Sequence, residues 1–381
     1  VIGFFGVRLW DGDDGGPPVG LQAKANVLAI LGFENKTGDE ELDWLETGLP
    51  EILLTDLSQN QSVKIIGRQR VLDCMSPEKK THHTVEECVE AASSLGATRV
   101  LSGAFFKLGD KIRIDARLQD IAAGTIIMGE KVVGEDPFVL VDSLTAKIAA
   151  SLDFGQAAGA GETYAASTEA YKQYHLGMEY FWSGQHDEAI AKFEEAIAID
   201  SEFALPYMRL GMSHVFNGRP AEGGRNLMMA KQFQDRLPVR ERSLLDAYVD
   251  TWALQDFDQA FTKITSLLQN YPDDAEIRTF YALFVLAFQA DTVGALAQLD
   301  TVISTYPTYP FAINQLAAIN VTQGNFDEAI DNYQRMMEIT PEAIDPQISL
   351  VRVYLRQGDR EKALALGEDL GNGSWSLRIY Y

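Results

Sequence analysis

The second half of the chain repeats itself. Ala189 and Gly223 stand 34 residues apart, as do Ala295, Ala329 and Ala363 in turn, with Ala260 between the two sets at looser spacing. A fixed period of this length is that of a stack of helix pairs. No single pair can bury its own apolar side, so each must lean on the next. The small residues let two helices approach closely, and bulky side chains fill the space beside them. Stacks of this kind present binding surfaces, so the chain is expected to be no enzyme.

Composition removes other readings. The formal net charge is −23, and both halves share it: residues 1–154 carry 24 acidic and 15 basic side chains (net −9), the remainder 31 and 17 (net −14). Such a surface repels phosphate backbones, so no nucleic-acid partner is expected. Cys74 and Cys88 could bridge in an oxidising compartment or stay as free thiols. His82 and His83 lie between them, but the spacing matches no common zinc pattern, and neither a metal nor another cofactor is expected.

Residues 1–25 read as a membrane-proximal tail and linker. Val1-Ile2-Gly3-Phe4-Phe5-Gly6-Val7 followed by Arg8, Leu9 and Trp10 resembles the last turns of a membrane helix, or else a short tail docked on the domain. Ten residues cannot cross a bilayer, which takes about 20. Residues 26–154 read as a globular α/β unit. Val27–Leu31 has strand character, Leu42–Leu57 has helical spacing interrupted by Pro50, and Val63–Ile66 looks like a second strand. Thr84 with Glu87 forms a capping box for a helix that ends at Gly96. Three β-rich runs from Arg99, Lys111 and Thr125 read as an antiparallel meander, and a closing helix follows Pro137. The expected fold is a mixed-sheet α/β sandwich, then a linker over 155–167, then an all-α array of about six repeats over 168–381.

Two resemblances sharpen this. Val27-Leu28-Ala29-Ile30, Phe33-Glu34-Asn35-Lys36-Thr37-Gly38-Asp39, Trp44-Leu45-Glu46-Thr47-Gly48-Leu49, Ile66-Gly67-Arg68, Leu95-Gly96-Ala97 and Gly109-Asp110-Lys111-Ile112-Arg113-Ile114 follow in the order of a TolB amino-terminal-like domain, which residues 27–152 resemble. In bacteria that domain follows a membrane helix in certain receptor-type serine/threonine kinases and adenylate cyclases, usually with tetratricopeptide repeats behind it. The repeats here resemble that motif in turn. Leu176, Gly177, Tyr180, Ala189, Phe193 and Ala196 fill its packing positions in the first, Leu210, Gly211, Gly218, Gly223 and Leu227 in the second, and Leu316, Ala317, Gly324, Ala329 and Tyr333 in the fifth. The sixth departs, with Gly367 at its large packing position and a break at Gly371-Asn372-Gly373. The resemblance implies a sensor or interaction region of a membrane-anchored, extracytoplasmic signalling protein.

No phosphate loop, nucleophile elbow or metalloprotease pair is present in the sequence. Asp39, Glu40 and Glu41 read as a solvated helix start, and Arg68 and Arg70 as partners of local carboxylates. The inner face of the array is the candidate site. The repeat's offsets place Tyr171, Tyr174, Met178, Phe181, Trp182, Met208, Met212, Phe216, Phe280, Phe284 and Phe288 there, an apolar, Met-rich groove suited to a protein or peptide ligand. The alternative is that tight curvature buries them. A stripe of this length needs a cover: a partner segment, the other domain or a second copy of the chain. A self-assembling envelope component and a small-molecule receptor are the competing functions.

Overall fold

The computed structural model describes residues 27–58, 63–75, 84–152, 167–341 and 343–371. The tail at 1–25, His82 and His83, most of the 155–167 linker and the Asn372-Gly373 break lie outside them. The first unit is a five-stranded mixed sheet in the order β2-β1-β3-β4-β5. Strand β1 (Val27–Asn35) lies between β2 (Lys64–Ile66) and β3 (Arg99–Leu108), parallel to both. β4 (Lys111–Asp120) and β5 (Thr125–Gly134) complete the expected antiparallel meander. Its turns hold Gly109 and Gly124 at φ +64, a left-handed conformation that a Cβ disfavours.

Alternation along β1 divides the core. Leu28 and Ile30 face α1 (Leu45–Ser58) and α4 (Pro137–Ser151), while Ala29 and Leu31 face α2 (Arg68–Asp73) and α3 (Val85–Ser94). Helix α1 continues through Pro50 without a break. The Thr84–Glu87 capping box opens α3 as the sequence indicates. On β4, Ile112, Ile114, Ala116 and Leu118 are buried against α1 and α4, and Arg113 pairs with Asp115 on the open face. Cys74 and Cys88 are both free thiols.

Beyond residue 167 the described residues form six helix pairs: α5/α6 (Thr168–Trp182, His186–Ile199), α7/α8 (Ala204–Phe216, Pro220–Gln232), α9/α10 (Val239–Val249, Phe257–Asn270), α11/α12 (Ala275–Gln289, Thr292–Thr305), α13/α14 (Pro310–Gln323, Phe326–Ile339) and α15/α16 (Asp345–Gln357, Arg360–Gly371). The small residues act as the period suggests. A Cβ on Gly177 would stand 2.6 Å from the Phe193 ring, one on Gly211 2.8 Å from Leu227, and one on Gly223 2.6 Å from Val215. Ala189, Ala260, Ala295 and Ala329 are fully buried. The looser spacing before Ala260 falls where a 3₁₀ turn (Gln234–Arg236) and a π turn (Asp250–Leu254) enter the third pair.

Candidate functional site: the inner face of the array

The eleven expected groove residues all lie on the first helices of their pairs, and rings from pairs that are not neighbours meet. They are not open. Tyr171, Tyr174, Phe181, Met208, Met212, Phe280 and Phe284 are buried, and Met178, Trp182 and Phe216 are partly buried against the same core. The expectation of an accessible trough is corrected for these ten. Of the eleven, Phe288 alone is exposed, and it sits beside Phe257, at the C-terminal end of α11.

Two causes close the trough. The superhelix is tight enough for its inner aromatics to meet across skipped repeats: Trp182 of the first pair packs on Tyr309 at the start of the fifth (centroids 5.4 Å), and Phe216 of the second touches Phe280 and Phe311 (6.4 and 5.1 Å). The sheet unit fills the rest. Tyr171 packs edge-on against Phe138 of α4 and lies 6.2 Å from Trp44. Lys172 pairs with Glu41, and the His175 ring lies between the Thr47 hydroxyl (2.8 Å) and Glu51 (3.2 Å). Farther along, Lys64 pairs with Asp273, Gln69 and Asp73 bond Thr308, and Arg70 stacks over Tyr306. Arg70 thus meets an aromatic ring of the repeats. One apolar cluster runs unbroken from Leu28 to Phe284, so sheet and repeats share a core. Burying an aromatic side chain contributes roughly 1.5–3 kcal/mol, which drives the stripe against itself and the sheet unit.

Within that core lies a polar cluster that reading the sequence missed. Arg209 of α7 reaches Glu276 of α11 through both terminal nitrogens. Glu276 also accepts from Arg240 (2.9 Å) and Tyr248 (3.0 Å), and Arg240 grips Asp274 through two bonds (2.7 and 2.9 Å). The Arg209 guanidinium lies over the Phe181 and Trp182 rings. Burial opposes the Glu276 charge, but Arg209 and Arg240 outweigh it and pull its pKa down to about 2. Burial lifts Tyr174 to about 12 and raises Tyr309, whose hydroxyl has no hydrogen-bond partner among the described residues. The signal was present as charges at inner positions of an apolar stripe, but their partners lie 28 to 67 residues away and no period links them.

At the domain seam, burial pulls His175 down, yet the hydrogen bond and charge of Glu51, with Glu179, hold its pKa above the ordinary value. On the sheet's open face a cleft of about 970 Å³ is lined by Arg68, Arg117, Ser102, Gly103 and Phe106 among others. Among the described residues no group of three or more His, Cys, Asp or Glu could hold a metal ion, and no helix is long and apolar enough to cross a membrane. Asp39 caps a 3₁₀ turn and pairs with Lys107, as a solvated helix start should.

Comparison with known proteins agrees with the geometry. Residues 170–203 and 320–371 match tetratricopeptide repeat family models. Among solved structures, a thermophilic tetratricopeptide protein of Thermus thermophilus is 18% identical, covering 49% of this chain and 99% of its own (TM-score 0.37). The type IV pilus biogenesis factor PilW is 16% identical over 56% of this chain and 97% of its own (TM-score 0.36). These likenesses carry no argument about function. A Rhizobium meliloti (strain 1021) protein described as "Putative adenylate cyclase 3" is 30% identical over 148 residues, which are 38% of this chain and 24% of that protein. The chain therefore spans about a quarter of that relative's length, and what is established for its own residues is a five-stranded mixed sheet followed by a tetratricopeptide-type helical array.

Proposed function

We propose that this chain is a non-catalytic interaction module of a larger signalling protein, with the sheet unit and the repeats acting as one rigid body. The observation that carries the reading is the shared core: repeats that bind partners are here packed onto a second unit through Tyr171, His175 and Arg70, so a partner engaging either unit is felt by both. The TolB-like resemblance of residues 27–152 and the 30% identity to the cyclase-described protein support a regulatory place within a multidomain receptor. The apolar run Val1–Val7 supports a membrane tether at the amino end, with the module on the extracytoplasmic side.

The partner is a protein, met on surfaces other than the inner face, since that face is occupied. The test uses the natural gene. Its full-length product should keep cyclase or kinase turnover when residues 27–371 are deleted, while losing its response to the signal. Turnover abolished in a folded, membrane-inserted deletion would place catalytic groups within this chain and refute the reading. So would a natural product that encodes no more than this module.

A further inference from the structure

At the junction of the third and fourth repeats the surface changes character. Phe257 and Phe288 stand 41% and 46% exposed with their rings 5.0 Å apart, and Phe284 and Phe261 back them. Leu254, at the end of the π turn, and Val293, in the first turn of α12, are exposed as well. The turns within these two pairs are unlike their counterparts. The same position is glycine in the other pairs (Gly184, Gly218, Gly324, Gly358), whereas here Gln255 and Ala290 hold φ of 56° and 51°. A non-glycine residue in that region costs on the order of 1 kcal/mol, and strain of this kind gathers where a surface serves a purpose beyond folding.

The segments that form this ridge carry acidic charge only, while Lys263 on α10 pairs with Asp250 and Arg225 on the neighbouring α8 pairs with Glu222. Residues 243–262 and 279–334 contain no lysine or arginine. Asp258 and Asp291 are exposed beside the aromatic pair, and Asp256 caps α10 between Leu254 and Phe257. We infer that this ridge docks a cationic amphipathic helix of a partner protein, its apolar side on Phe257 and Phe288 and its lysines or arginines on Asp256, Asp258 and Asp291. Exposed aromatics supply anchoring area, and the carboxylates choose the partner's sign. A second copy of this chain would set one acidic rim against another, and an anionic membrane would be repelled. The inference rests on the interaction-module reading but concerns a surface apart from the shared core, so either can fail alone.

The experiment measures fluorescence anisotropy of a labelled synthetic helix with one leucine face and one lysine face, and of its leucine–glutamate counterpart, against the full chain. The lysine peptide should bind and the glutamate peptide should not. Phe257→Ser with Phe288→Ser should weaken binding about tenfold or more. Asp258→Lys with Asp291→Lys should weaken it similarly and admit the glutamate peptide. A control pair on exposed, remote positions, Asp331→Lys with Glu361→Lys, should change affinity less than about twofold if attraction is local. Equal loss in the control pair, or none in the ridge pairs, overturns the proposal. It is also overturned if light scattering shows a dimer that the serine pair dissolves, or if vesicles containing phosphatidylglycerol bind in a ridge-dependent way. Should the serine pair fail to fold, the lysine pair decides.

Discussion

Glu276→Gln isolates the buried cluster with a change of one charge and almost no volume. In the native chain the carboxylate accepts from Arg209, Arg240 and Tyr248, and Arg209 is only 4% exposed. The amide keeps one acceptor but turns an N–H donor toward a guanidinium, leaving Arg209 with a buried charge that nothing neutralises. Breaking one side of such a pair costs about 3–5 kcal/mol. With a urea m-value of about 3 kcal/mol/M, the midpoint should fall by more than about 1 M. Arg209→Met combined with Glu276→Leu removes both charges, while Arg240 keeps its two bonds to Asp274. The double variant should therefore recover at least half of the loss, because desolvating the pair offsets most of its attraction. The assay is urea unfolding followed by far-ultraviolet circular dichroism. A single-variant midpoint within about 0.3 M of the parent (about 1 kcal/mol at that m-value), or a double variant as unstable as the two single losses summed, would refute the reasoning.

Other consequences are smaller or more local. His186 lies between Phe181 and Phe216, and burial brings its pKa down to about 4, against a weaker opposing pull from Asp187. The folded state favours the neutral ring, so this stability is complete above pH 6.5 and is lost as the pH falls toward 4. Comparing parent with His186→Gln over that window in chemical unfolding should show a difference approaching 3 kcal/mol, on the order expected for such a shift; parallel curves would contradict the assignment. Ala290→Gly relieves a left-handed turn and should raise stability by about 1 kcal/mol, read as an upward thermal shift, whereas a downward shift would count against strain there. Gly177→Val puts branches into the Phe193 ring and should cost about 3 kcal/mol or more, and a variant melting like the parent would mean the first pair is looser than described.

Much of the fold was legible because its signals are local. The meander, the capping box at Thr84 and the helix after Pro137 rest on adjacent residues, and the repeat period rests on steric need at Gly177, Gly211 and Ala189. The offsets put these residues on the first helix of each pair, and their exposure was misjudged. Offset says which way Met208 or Phe280 points; it says nothing of what arrives from Tyr309, Phe311 or the sheet unit. Phe288 differs from its neighbours because it lies in the last turn of α11, where only Phe257 and Phe284 pack on it and 46% of its surface stays exposed. The Arg209–Glu276–Arg240 cluster joins three repeats, and no one-dimensional pattern announces it.

The closed inner face has a direct test in the methionines. Met208 and Met212 have no exposed surface, while Met228 and Met229 on α8 are 43% and 36% exposed in the same repeat. Mild peroxide treatment of the native chain, followed by peptide mass spectrometry, compares their rates of sulfoxide formation. A closed face predicts oxidation of Met208 and Met212 slower by about tenfold or more. Rates matching those of Met228 and Met229 would mean the trough stands open, and the account of a self-filled array would be wrong.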